Sequence, residues 1–121
     1  MKLLALIGVV LIVPAAFAQN APATYSNHVW VPRLTLGQCT RAAEDAFKES
    51  GYSARLGPER KDGHRVVIGG FGPHSVQLGC TEMGNSGTDI FMMIAGTAGA
   101  KQAEAQFQLI WTSFRQRAGI R

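Results

Sequence analysis

The sequence predicts an α+β domain built as a two-layer sandwich, in which an antiparallel meander of about four short strands carries two helices on one face. Three observations lead there. Apolar residues recur at helical spacing near residues 35–50 and 98–118. Between these stretches lie four short runs in which apolar and polar residues alternate, and turn residues rich in Gly, Pro and Asp separate the runs. The expected order is α-β-β-β-β-α, with residues 28–121 forming one domain.

Residues 1–18, MKLLALIGVVLIVPAAFA, have the three-part layout of a secretory leader. Lys2 precedes an apolar run from Leu3 to Val13, Pro14 breaks the run, and Ala16-Phe17-Ala18 follows as a small-x-small cleavage site. The run is shorter than the roughly 20 residues a membrane anchor needs, so the mature chain is expected in the periplasm or the medium with no membrane span. Loss of Lys2 lowers the formal charge from +4 to +3. So mild a charge, without a basic stripe interleaved with aromatics, sets nucleic acid aside as a partner. Residues 19–27, QNAPATYSN, are small and polar and read as a flexible N-terminal tail. His28-Val29-Trp30-Val31-Pro32 reads as an extended segment, an edge strand at most.

The first helix has the clearest signals. Thr35 and Gln38 form a capping box, and Leu34 with Cys39 supplies a hydrophobic staple. Leu36, Cys39, Ala43, Ala46, Phe47 and Ser50 share one face, with Arg41, Glu44, Asp45, Lys48 and Glu49 on the other, and Gly51 ends the helix. Strands follow at 52–56, 64–70, 75–82 and 88–95, the first two separated by the charged loop GPERKDG. Val76, Leu78 and Cys80 mark the inner face of the third strand. Placing Val66 and Ile68 opposite Leu78 and Val76 leaves Phe71-Gly72-Pro73 as the hairpin loop, and Cys80, Leu78 and Val76 then pair with Ile90, Met92 and Ile94. The closing helix begins near Ala98 with Thr97 as its cap. Its stripe is Ala100, Ala103, Phe107, Ile110, Trp111, Phe114 and Ala118, and Gly119 ends it.

Two cysteines in an exported chain read first as a disulfide. Cys39 points inward from the first helix and Cys80 lies on the inner sheet face, so the two are expected to meet across the core. There is no CxxC pair and no His at ligand spacing, which argues against zinc and dithiol redox chemistry.

Catalytic signals are sparse. Gly69-Gly70-Phe71-Gly72 leads into a strand, not a helix, and suits a hairpin better than a phosphate cradle. No Gly-x-Ser-x-Gly elbow, HExxH spacing or paired carboxylates occur, so no catalytic residue, metal or cofactor is assigned. Of His28, His64 and His74, the expected register puts His64 opposite Cys80 on the inner face. There it is a candidate general base or metal ligand, set against a strand-end imidazole satisfied by backbone or water. The outer face is expected to carry Arg65, Val67, Gln77, Gly79, Thr81, Phe91, Met93 and Ala95. Val67, Phe91 and Met93 make it more apolar than a water-facing sheet normally is. These three are the candidate partner-binding residues, for an envelope protein, a small ligand or a second copy of the chain. The resulting expectation is an exported binding module; the alternative is a small periplasmic enzyme or metal-binding module centred on His64.

The stretches LTLGQCTRAAEDAFKESGY, VQLGCTE, DIFMMIAG and AEAQFQLIWTSF resemble a group of small exported bacterial α+β proteins that carry one cysteine on a helix and one on a strand. The resemblance covers most of the mature chain and rests on fold-defining residues. It implies the fold and the disulfide, and carries over no site residue.

Overall fold

In the computed structural model, which describes residues 22–84 and 86–120, five antiparallel strands form one sheet with two helices on one side. The strands are β1 (Ala23–Pro32), β2 (Arg55–Leu56), β3 (His64–Phe71), β4 (His74–Glu82) and β5 (Gly87–Gly96); the helices are α1 (Leu36–Glu49) and α2 (Ala100–Ala118). Across the sheet the strand order is β1-β5-β4-β3-β2. The α+β class and the one-sided helical layer agree with the sequence. The expected leader at 1–18, and residues 19–21 of the expected tail, lie outside the described residues.

The chain adds a strand where a tail was expected. Residues from Ala23 onward, including the segment 28–32, form the ten-residue β1 and pair along the length of β5, with Tyr25 opposite Ile94 and Val29 opposite Ile90. Tyr25, Val29 and Val31 alternate toward the helical layer, and the Tyr25 ring lies 4.8 Å from that of Phe107. The small polar letters that suggested a tail are the outward half of this alternation.

α1 is capped as expected: the Thr35 hydroxyl accepts from the Gln38 N–H, and the Gln38 side-chain oxygen accepts from the Thr35 N–H. Two longer ties hold this end to the sheet. The Glu82 carboxylate accepts the Leu36 N–H at 3.0 Å, and the buried Thr88 hydroxyl donates to the Leu34 carbonyl. α2 ends at Gly119, whose φ of 72° is left-handed, but it is capped by Gly99 and not by Thr97. The helices are joined at their surface by Glu49, which accepts from Ser113 and Arg117. The Arg117 hydrogen bond is the main cause holding this carboxyl below its ordinary pKa, with help from Ser113.

The Cys39–Cys80 disulfide joins the first turn of α1 to the C-terminal half of β4, with a Cα–Cα distance of 6.3 Å and both residues fully buried. Around it pack Phe47, Leu78, Ile90, Met92, Ile94, Phe107, Ile110 and Phe114. Such a bond belongs to oxidising, non-cytoplasmic compartments.

The β4–β5 register is the expected one, pairing Cys80 with Ile90, Leu78 with Met92 and Val76 with Ile94. β3 is shifted by one residue. Val67 pairs with Leu78 and Gly69 with Val76, so the turn is Gly72-Pro73 alone, closed by Phe71 and His74. Val67 is therefore fully buried and Ile68 is half exposed, the reverse of the expectation. The cause is a close approach. At Gly69 a Cβ would drive into the Ser53 carbonyl oxygen and come within 2.9 Å of the Phe47 ring. The inward position at this point of β3 has room only for hydrogen, so Ile68 cannot occupy it.

Two outcomes test this arrangement. Replacing both cysteines with alanine should cost about 4 kcal/mol through the freed 41-residue separation. Thermal unfolding followed by circular dichroism should then show a midpoint lower by roughly 20 °C. Gly69→Ala, one methyl group, should cost about 3 kcal/mol by forcing Ser53 and Phe47 aside, as urea unfolding would measure.

Candidate functional site

With α1 and α2 both on the inner side, no described helix covers the outer face of the sheet. Strand pairing arranges that face in cross-strand rows. The first row runs Trp30, Asp89, Thr81, His64 from β1 through β5 and β4 to β3. The second runs His28, Phe91, Gly79, Val66, and the third Ser26, Met93, Gln77, Ile68. None of these twelve positions is Lys or Arg, and Asp89 is the one carboxylate. Trp30 and Ile68 are 50% exposed and Phe91 42%.

At the centre of the face a depression of about 280 Å³ opens over Gly79, because the second row has no side chain there. His64 leans over the gap; a Cβ on Gly79 would lie 3.2 Å from its Cε1. Its Nδ1 is hydrogen-bonded to the Thr81 hydroxyl at 2.7 Å. From the other side His28 reaches Asp89, Nε2 to Oδ1 2.7 Å. This pair is substantially exposed, so it contributes little to stability and mainly fixes where the two side chains point. Phe91, Val66 and Gln77 complete the lining.

Of the expected binding residues, Phe91 and Met93 lie on this face and Val67 does not. The one-residue shift of β3 sends Val67 into the core and brings Val66 and Ile68 out. The same shift turns His64 outward opposite Thr81, while Arg65 takes the expected place opposite Cys80 and donates to the Gly57 carbonyl. His28 and Trp30 join the face because β1 is a strand. Their signal in the sequence was the period-two pattern of Tyr25, Val29 and Val31. His74 lies apart, buried at the hairpin end against Gly96, with its Nε2 unpartnered.

Chemically, the arrangement offers an apolar platform with one imidazole nitrogen of His64 still free beside an open depression. Among the described residues no three His, Cys, Asp or Glu side chains are grouped to hold a metal ion. A larger groove of about 500 Å³ beside Thr35, Arg41 and Arg117 is less suited to a ligand. There the first amides of α1 already bond to Thr35 and Glu82, and Arg117 is engaged by Glu49 and Asp45. No described helix is long and apolar enough to cross a membrane.

No family model matches the sequence, and no curated protein matches it. The chain is similar to the crystal structure of Ara h 8.0201, with a TM-score of 0.45 and 12% identity over 82% of this chain and 97% of that one. It is also similar to the crystal structure of TTHA0849 from Thermus thermophilus, with a TM-score of 0.35 and 8% identity over 81% of this chain and 97% of that one. Likeness at this level carries no function from either protein to this chain.

The depression depends on Gly79 having no side chain. Gly79→Ala should displace the His64 imidazole and weaken its bond to Thr81, because the ring is the nearest group to the added methyl. The histidine ring resonances should shift by NMR, while stability changes by less than about 1 kcal/mol.

Proposed function

We propose that the chain is an exported interaction module that binds a partner protein of the cell envelope through the outer face of its sheet. One observation carries this reading: a four-strand face left without a helical cover has no Lys or Arg in its three central rows and exposes Trp30, Phe91 and Ile68 together. Depletion of charge around aromatic residues is the compositional mark of an interface core. Export is supported by the leader-like residues 1–18 and by the buried disulfide, and the resemblance to small exported bacterial proteins points the same way.

A second reading is favoured by the depression itself. His64, with one nitrogen free beside a recess of about 280 Å³, could accept or donate a proton to a small ligand, as in an enzyme or binding site centred on that residue. The Thr81 hydroxyl and the His28–Asp89 pair line the same recess, but Trp30, Phe91 and Ile68 make the surrounding face chiefly apolar, so the interaction reading takes precedence.

Site-specific photocrosslinking in a producing bacterium tests the interaction reading. A benzophenone side chain placed at Phe91 should give a protein adduct that the same probe at Leu109 does not. Leu109 is 51% exposed on the helical side and serves as an equally apolar control. Equal adduct yields at both positions would remove the case for the outer face.

A further inference from the structure

We infer that the partner of the outer face is a second copy of this chain, docked sheet to sheet about a two-fold axis that runs parallel to the strands between β4 and β5. The inference rests on the reading of this face as the binding surface and names its occupant.

The argument is self-complementarity. A two-fold interface presents the same patch twice, so a protrusion must find its recess on an identical surface. Here the protrusion and the recess are direct neighbours in one row, Phe91 on β5 and Gly79 on β4. A two-fold axis between those strands exchanges β5 with β4 and β1 with β3. Phe91 of each protomer then stands over the partner's Gly79, in the depression of about 280 Å³. An aromatic ring fits that volume, packing beside the His64 imidazole over the Gly79 backbone.

The flanking rows fit under the same operation. In the first, Trp30 comes to lie over the partner's His64, giving a half-exposed aromatic ring a flat imidazole to cover. Asp89 comes to lie over the partner's Thr81, a hydroxyl it can accept from. The two carboxylates flank the axis, each drawn away from it by its bond to its own His28. In the third row Met93 covers the partner's Gln77, and Ser26 meets the partner's Ile68. No Lys or Arg is trapped in any of these rows.

Size agrees as well. A ten-residue strand is about 33 Å long and four strands span about 19 Å, so each copy offers roughly 600 Å² of sheet. With side-chain relief this approaches the ~800 Å² per partner of a stable interface. The natural twist of each sheet lets two such faces pack aligned, about 10 Å apart, with their side chains interdigitated.

Sedimentation equilibrium of the purified chain from about 1 to about 500 µM tests the inference, with Gly79→Leu and Phe91→Ala as variants whose folding is checked by circular dichroism. The wild type should dimerise, and each variant should weaken the dimer by at least about tenfold. Gly79→Leu is the discriminating change, since it adds apolar surface while filling the recess. A dimer that it leaves unchanged or tightens would overturn the docking, because general stickiness would account for it. A wild type that stays monomeric throughout overturns the second copy as occupant. In that event, a Phe91 adduct to a different protein in the crosslinking experiment leaves the binding-face reading intact. Absence of any Phe91-specific adduct sinks both.

Discussion

The contact at Gly69 sets the identity of every other outward position on β3. The Ser53 carbonyl and the Phe47 ring press on the strand so closely that the inward residue there can have no side chain. Because side chains alternate strictly along a strand, fixing Gly69 inward also fixes Val67 inward and sends His64, Val66 and Ile68 outward. A glycine costs a strand some stability through lost packing and a more flexible unfolded chain. Here that cost is offset by the approach it permits, which seats Phe47, fully buried, at the middle of the core. The outer face therefore owes its composition to a packing requirement on the opposite side of the sheet.

The disulfide and the ends of α1 act on a different part of the same layer. Cys39 fixes the first turn of the helix over β4, and Glu82 and Thr88 bond its N-terminal backbone from β4 and β5. Phe47 fixes the last turn over β3. A helix held at both ends cannot rock or slide on the sheet, which matters for a small domain that buries only a modest fraction of its surface. All of these ties lie on the inner side. The outer face is supported by them without supplying them, and its residues are free to serve recognition without endangering the fold.

What the sequence reveals divides along the range of the determining contact. The capping box, the Gly119 terminator and the β4–β5 register are set by neighbours in sequence or by unambiguous alternation, and all three are readable. Val66-Val67-Ile68 is a run of three apolar residues, so alternation cannot choose its inward member. That choice falls to Ser53 and Phe47, more than ten residues away, and the site inherits the ambiguity. Phe91 and Met93 are legible because β5 is anchored by Ile90, Met92 and Ile94, whereas Val67 and His64 depend on β3 and are not. β1 was obscured differently. The outward residues of its first half, Thr24 and Ser26, are polar enough to imitate a tail, and its pairing with the last strand of the sheet spans most of the chain.

The polar groups on the outer face are as informative as its aromatic ones. Burying an unpaired charge or an unbonded imidazole is costly, and that cost usually defeats docking on a surface designed for water. The chain contains 12 Lys and Arg and eight Asp and Glu, yet the three central rows hold one carboxylate, and it is already bonded to His28. His64 is likewise bonded to Thr81 before any partner arrives. Asp89 and one nitrogen each of His28 and His64 thus have an internal partner in place, while Arg55 of β2 continues the third row beside Ile68 at the sheet edge and Arg65 of β3 falls on the opposite alternation. Pairs formed in advance lower the cost of dehydrating these groups, which the proposed docking requires.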